Sequence, residues 1–218
     1  MSLLLALTSV FFDVEYTSIL FVIYMLFLFL YHYKATEKFN VVLLIYLVAM
    51  LVAEVMFLYD FEKYINVVSL TQLIGQMCFF WLIRSMLKVK FENFSTHNLI
   101  ELIIGFIGIS YVIGYLLYLI FPLIPDLTLF LPSVIVFFIM VTICIGIPFF
   151  NKHPDNIMLW GIGGGLIGEM SFGFIFEYIS DHKAYLVMAH IFGAFLKIIF
   201  TMYLIRIKNI KKTEHNYN

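Results

Sequence analysis

Two glutamates, Glu54 and Glu169, lie deep inside long apolar runs of the sequence. A carboxylate in the hydrocarbon core of a bilayer costs about 2.5–3.5 kcal/mol on insertion scales, so it usually faces the interior of a helix bundle and has a partner there. Intramembrane carboxyl groups commonly mark substrate sites or proton relays. These two residues are therefore the first candidates for chemistry, and we expect both to be catalytic.

The runs around the two glutamates resemble each other. Residues 51–62 (LVAEVMFLYDFE) align without a gap on residues 166–177 (LIGEMSFGFIFE), and five of the twelve positions are identical. A carboxylate repeated in related segments indicates one site built from two related halves. For Glu54, in the outer third of its run, the sequence leaves open that the side chain instead extends toward the membrane surface.

Small residues accompany Glu169 along one helix face, because Gly161, Gly165 and Gly173 lie at multiples of four residues from it. This spacing is typical of close helix packing. Glycines around a carboxylate also leave room for water or a ligand atom.

The last apolar run contains the only basic residue in mid-span, Lys197, with His190 and Thr201 on the same helix face. Lys197 lies at a depth similar to that of Glu169, so we expect an ion pair or a shared proton between them. A structural pair and a catalytic pair give the same sequence pattern, and both interpretations stay open.

Gln72 and Gln76 lie with Ser69 on one face of the third apolar run. Such groups often hydrogen-bond between helices, worth about 0.6 kcal/mol on average. However, the spacing of Gln72 and Gly75 matches that of His190 and Gly193 in the second half. We therefore expect four residues to line the cavity and bind substrate: His190, Lys197, Gln72 and Gln76.

The composition identifies an integral membrane protein. Of the 218 residues, 63% are hydrophobic and only 12% are charged. In soluble domains, about half of the residues are hydrophobic and about a quarter are charged. The net charge of −1 gives no reason to expect a nucleic-acid partner. Cys78 and Cys144 fall in apolar runs without a metal-binding or disulfide pattern, and we expect no metal and no other cofactor.

Seven segments are long enough to cross a bilayer, which takes about 20 apolar residues. The sequence thus predicts an all-α bundle of seven spans over residues 16–207, preceded by a short interfacial segment (1–15) and followed by a basic cytoplasmic tail (208–218). The predicted spans are Tyr16–Tyr33, Phe39–Leu58, Ile65–Leu87, Leu99–Phe121, Leu127–Phe149, Ile157–Tyr178 and Ala184–Ile207.

Lysine and arginine predict the orientation. Ten of them lie in the connections after spans 1, 3, 5 and 7, against two, Lys63 and Lys183, on the other side. The positive-inside rule then predicts an inner (cytoplasmic) membrane protein with its N-terminus outside and its C-terminus in the cytoplasm. In this layout the repeated spans run in the same direction, as a parallel 3+1+3 repeat.

Two small-residue–carboxylate pairs, Ala53-Glu54 and Gly168-Glu169, and the stretch from Asp60 to Trp81 resemble the YhhN-type membrane proteins, whose characterised members are lysoplasmalogenases. The similarity covers residues 45–85 and 155–207, with Glu where the family has Asp. It implies a lipid-directed hydrolase that acts on the vinyl ether of a membrane lipid or lysolipid. One carboxyl group would protonate the alkene carbon, and the other would stabilise the cation or activate water.

A second resemblance favours a different class of protein. Residues 168–172 (GEMSF) and 189–199 (AHIFGAFLKII) are similar to the last two helices of membrane-embedded sensor domains in bacterial signalling proteins. The alternative is thus a non-enzymatic seven-helix sensor or small carrier, in which Glu169, Lys197 and His190 bind a ligand or relay protons. A carrier needs access from both sides of the membrane, whereas a lipid hydrolase needs one opening at headgroup level.

Overall fold

The computed structural model describes residues 14–84, 96–150 and 155–216. Within these ranges the chain is helical, without strands, and all six helices are long and apolar enough to cross a membrane, which confirms a polytopic α-helical membrane bundle. Most of the predicted interfacial segment, and the connections at 85–95 and 151–154, lie outside the described residues. The helices are α1 (Val14–Thr36), α2 (Val41–Ile83), α3 (Thr96–Ile120), α4 (Phe130–Phe150), α5 (Asn156–Tyr178) and α6 (Lys183–Asn216).

Helix α2 contains the predicted second and third spans and a break between them. Asp60 is extended (φ −174°, ψ 95°), and Tyr64 is also non-helical (φ −104°, ψ 15°). The Asp60 side chain accepts a hydrogen bond from the backbone N–H of Lys63 at 3.0 Å. This is the geometry of an N-cap, which satisfies a free N–H where a helix restarts.

The two arms of α2, residues 41–59 and 65–83, fold back against each other. A Cβ added at Gly75 would lie 2.9 Å from Met50 Sδ and 3.9 Å from the Cβ of Ala49. An unbroken helix would separate residues 50 and 75 by about 37 Å. The break at Asp60 and Tyr64 therefore forms a helical hairpin.

Helices α5 and α6 form a second hairpin, with the most extensive contact between any two described helices. Glycines of α5 permit this approach: a Cβ at Gly165 would lie 2.9 Å from Leu196 Cβ and 3.3 Å from its Cα. At the other end of the pair Arg206 donates to Asp155 at 2.7 Å. The glycine face thus packs helices together, as small residues in membrane helices do.

Helix α3 lies at the edge of the bundle, and large apolar side chains such as Ile104, Ile107 and Tyr118 are exposed on it. Its C-terminal end continues into a 3₁₀ turn, Phe121–Leu123. In the connection that follows, Asp126 accepts a hydrogen bond from the Asn66 side chain at 2.8 Å. This contact connects the bend of α2 to the α3–α4 connection.

Candidate functional site

The centre of the bundle contains a cluster of three charged side chains from both hairpins. Lys197 of α6 places its Nζ 2.5 Å from Oε1 of Glu54, in the first arm of α2, and 2.8 Å from Oε1 of Glu169, in α5. Lys197 is 1% exposed, and the two glutamate side chains are 12% and 21% exposed. The ion pair predicted between Glu169 and Lys197 is present, and Glu54 does not extend to the membrane surface.

Helix α6 holds Lys197 in a fixed position. Its Nζ also donates to the carbonyl of Gly193 at 3.2 Å, so the ammonium has three acceptors. A Cβ at Gly193 would collide with the Glu169 carboxylate, so the present position of that carboxylate depends on the absence of a side chain at Gly193. One turn later, Thr201 donates its hydroxyl to the Lys197 carbonyl at 2.8 Å.

A cavity of about 150 Å³ adjoins this cluster and is lined by both arms of α2 and by α4, α5 and α6. At about 30 Å³ per water molecule, that volume corresponds to roughly five waters. Both glutamates line it. Most of its wall is apolar, including five phenylalanines: Phe57, Phe61, Phe130, Phe137 and Phe174.

The predicted binding residues Gln72, Gln76 and His190 also line the cavity, whereas Lys197 lies behind the two carboxylates and is not part of the wall. Oε1 of Gln76 and Nδ1 of His190 are buried and make no hydrogen bond within the described part of the chain. The two residues are only 3% and 7% exposed. Buried polar atoms are nearly always satisfied, so these two are exceptions, and neither atom has more than 1 Å² of surface accessible from the cavity.

Packed aromatic side chains close the bundle on the far side of Lys197. Phe200 stacks on Phe79 with ring centroids 4.5 Å apart and meets Tyr46 edge-on at 5.0 Å. All three rings are buried. The cavity therefore occupies the half of the bundle near the α2 break and the α5–α6 connection, and tight packing fills the space beyond it.

Helix α1 supports the site from outside. Tyr24 donates its hydroxyl to the carbonyl of Ala194 at 2.6 Å, and Phe21 meets the ring of His190 edge-on at 5.2 Å. Sequence reasoning did not identify either residue, nor Tyr46 and Ser133 in the cavity wall. The only signal for Ser133 and Tyr24 was a hydroxyl group with apolar neighbours on both sides in the sequence.

No family model, curated protein or solved structure matches the chain. The geometry of the site is therefore the basis on which its function has to be inferred.

Proposed function

We propose that this protein is an integral membrane hydrolase that cleaves a vinyl ether in a single-chain membrane lipid, with Glu169 and Glu54 as its catalytic pair. The observation that carries the proposal is the convergence of two carboxyl groups, one from each repeated segment, on the wall of one apolar cavity. The resemblance to YhhN-type proteins supports the same reaction class. An apolar wall suits a lipid, since the chain can lie against it without losing hydrogen bonds.

The charges of the cluster suit acid catalysis. Two carboxylates and one ammonium have a net charge of −1, and one proton on the carboxyl groups makes the cluster neutral. An uncompensated charge in apolar surroundings is costly, so we expect one proton to be shared between Glu54 and Glu169. The cluster then contains both an acid and a carboxylate, as acid–base hydrolysis requires.

In the proposed reaction the acid gives its proton to the alkene carbon farther from the ether oxygen, and an oxocarbenium ion results. Water adds to the cationic carbon and returns a proton to the carboxylate, giving a hemiacetal. The hemiacetal then collapses to an aldehyde and an alcohol, so that one water is consumed for each bond broken. We assign the acid to Glu169, because it is the more exposed of the two and Gly173 leaves space beside it in the cavity wall.

The packed layer of Phe79, Phe200 and Tyr46 favours a hydrolase over a carrier, because a carrier needs a route to both sides of the membrane. A ligand-binding sensor is the second candidate. It is favoured by Lys197, which already contacts both carboxylates at 2.5 and 2.8 Å and would stabilise them without catalysis. Turnover distinguishes these two functions.

We further propose seven membrane crossings with a parallel 3+1+3 repeat, the N-terminus outside and the C-terminus in the cytoplasm of an inner membrane. The hairpin within α2 supports the count, because each arm is about as long as a bilayer is thick. The distribution of Lys and Arg supports the direction. Reporter fusions after Asn218 and near residue 124 should report cytoplasm and exterior respectively, and an exterior C-terminus would contradict this orientation.

The direct test of the activity is mass spectrometry of lipids incubated with the purified protein. We expect a lysoplasmalogen to yield a free aldehyde, while a matched lipid with a saturated ether stays intact because it has no alkene to protonate. Binding of both lipids without turnover of either would favour the sensor.

A further inference from the structure

The wall of the cavity offers negative charge without a cation of its own. Both glutamates belong to the wall, whereas no lysine or arginine does among the residues that the structure describes. Lys197 lies behind the carboxylates, and its ammonium compensates only one of their two charges. A cation in the cavity can therefore compensate the other charge in place of the shared proton.

A third acceptor lies beside the two carboxylates. Tyr46, in the first arm of α2, lines the cavity and is only 4% exposed. It interacts electrostatically with Glu54, Glu169 and Lys197, so its hydroxyl lies near the cluster. The hydroxyl makes no hydrogen bond within the described part of the chain. Unlike Gln76 Oε1, it is not among the unpaired atoms with less than 1 Å² of accessible surface, so a group in the cavity can reach it.

The number of acceptors selects the chemical class of the ligand. A primary ammonium has three N–H donors, which match the two carboxylates and the Tyr46 hydroxyl. Hydrogen bonds between charged groups are about twice as strong as those between neutral groups. The five phenylalanines of the wall favour the same class, because an aromatic ring attracts a cation to its face.

The volume limits the size of the ligand. About 150 Å³ holds roughly five water-sized groups, which corresponds to an ammonium group with a short alkyl chain. The apolar part of the wall can contact such a chain without losing hydrogen bonds.

We infer that the cavity is a binding site for the primary ammonium group of an alkylamine, held by Glu54, Glu169 and Tyr46. The bound ammonium replaces the shared proton as the charge that compensates the second carboxylate. This inference goes beyond the proposed hydrolase, because it depends on charge and volume and not on turnover. It also agrees with the proposed reaction, in which the oxocarbenium ion places a positive charge beside the same carboxylates.

The test is calorimetric titration of the full-length protein in detergent with n-butylammonium and with n-butanol. The two ligands have the same alkyl chain and nearly the same size, but only the first is charged. The parent protein should bind butylammonium at least about tenfold more tightly than butanol, as expected when a hydrogen bond to a charged group replaces a neutral one.

Replacement of the shared proton has a readout of its own. Binding of butylammonium at neutral pH should release about one proton, measured by titration in two buffers with different ionisation enthalpies, and butanol should release none. The titratable groups around the cavity and the cluster are Tyr24 of α1, Tyr46 and Glu54 of α2, Cys144 of α4, Glu169 of α5, and His190 and Lys197 of α6. The glutamates hold the released proton, so the release should persist in His190→Phe.

Substitution of the three acceptors tests the residues. Glu54→Gln and Glu169→Gln each leave one carboxylate to pair with Lys197. Each should therefore lower the affinity for butylammonium to about that for butanol, and the affinity for butanol should change little. Tyr46→Phe should weaken butylammonium binding several-fold. Glu177→Gln is the matched control, because it removes the same charge from α5 outside the cavity wall and should leave the affinity unchanged.

Equal affinity of the parent protein for butylammonium and butanol would overturn the inference. Binding of butylammonium without proton release, loss of the release in His190→Phe, or tight binding by both glutamine variants would overturn it too. An unchanged affinity in Tyr46→Phe would contradict the third acceptor. Selective ammonium binding without cleavage of a lysoplasmalogen would leave the site standing and defeat the proposed hydrolase. Cleavage with no preference for the ammonium would do the reverse.

Discussion

The two hairpins, α2 and α5–α6, carry the same glutamate but differ in what surrounds it. Glu54 and Glu169 occupy equivalent positions of the repeat, and both bind Lys197. The lysine itself has no counterpart in the first hairpin: the alignment of Gln72 and Gly75 with His190 and Gly193 places Phe79 at its position. Phe79 packs against Phe200 instead of holding a charge.

The carboxylate therefore occurs in both hairpins, whereas the ammonium that compensates its charge occurs only in the second. The second hairpin alone can form a neutral pair, Glu169 with Lys197, and the first hairpin adds the second carboxyl group. The cluster is complete only when both hairpins are packed together. A single ammonium is thus shared between two glutamates, one from each of the two similar segments.

The hairpins also differ in how closely their helices pack. In the second hairpin, Gly165 faces the backbone of Leu196. A Cβ added at Gly165 would lie 3.3 Å from the Cα atom of Leu196. In the first, Gly75 faces the flexible side chain of Met50. The helices that hold the Glu169–Lys197 pair are therefore positioned by rigid contacts, and those that hold Glu54 by adaptable ones.

The largest effect on stability should come from Lys197→Met. Removing the ammonium leaves two carboxyl groups side by side without compensation, and removing one partner of a buried ion pair costs about 3–5 kcal/mol. Phe79→Leu, at the equivalent position of the first hairpin, should cost about 1–2 kcal/mol through lost packing alone. Denaturation in mixed detergent micelles measures both free energies of unfolding.

A triple variant is the control for this prediction. Adding Glu54→Gln and Glu169→Gln to Lys197→Met removes all charge from the cluster, so most of the lost stability should return. If Lys197→Met is as stable as the parent protein, the cluster does not contribute to stability, and Lys197 has no role in holding the hairpins together.

The next largest effect concerns glycine packing. Gly165→Ala should destabilise the protein by about 1–3 kcal/mol, because the backbone of Leu196 cannot move aside. Gly75→Ala should have a smaller effect, because Met50 can change rotamer. Gly164→Ala, with nothing within 4 Å of an added Cβ, is the matched control, and thermal unfolding in detergent ranks the three. If Gly165→Ala and Gly75→Ala lower the thermal stability equally, the two hairpins do not differ in how rigidly their helices are packed.

Much of the fold could be predicted because apolar length alone defines a membrane helix. The boundaries of α1, α3, α4 and α5 lie within a few residues of the predicted spans. The pairing of Glu169 with Lys197 was also predictable, because the two residues lie at similar depths in consecutive helices.

The contact of Glu54 with the same ammonium could not be predicted. It depends on how the α2 hairpin packs against α6, and the sequence pattern of Glu54 is equally compatible with a side chain at the membrane surface. The contribution of α4 to the cavity was missed for a similar reason: its lining residues, such as Phe137 and Val134, are apolar side chains like any others in a span. Tertiary packing, which no local pattern records, decides both features.

The smallest expected effect is at the bend of the first hairpin. The Asn66 side chain, with the backbone N–H of Thr128 adding to it, holds the pKa of Asp126 below its ordinary value. Because the folded pKa is lowered, this contact stabilises the protein above the unfolded pKa of about 3.9, and the contribution is lost as the pH falls through the folded pKa. Asn66→Ala should therefore raise the pKa of Asp126 and slightly lower thermal stability at neutral pH, with no difference in acid.

NMR titration of carboxyl-labelled aspartate measures the pKa of Asp126 in both proteins. An unchanged value in Asn66→Ala would show that this hydrogen bond does not connect the bend to the α3–α4 connection.

The central claim is that the two repeated glutamates form one catalytic pair, and turnover of a lysoplasmalogen by Glu54→Gln and Glu169→Gln, measured together with unfolding, tests it most directly. Each single variant leaves Lys197 with one carboxylate, so both proteins should remain folded. Each should lose about 10²–10⁴-fold in turnover, the usual contribution of a general acid or base. Glu62→Gln and Glu177→Gln, the other glutamates of the repeat and absent from the cavity wall, should retain full activity. Full turnover by folded Glu169→Gln would contradict the claim.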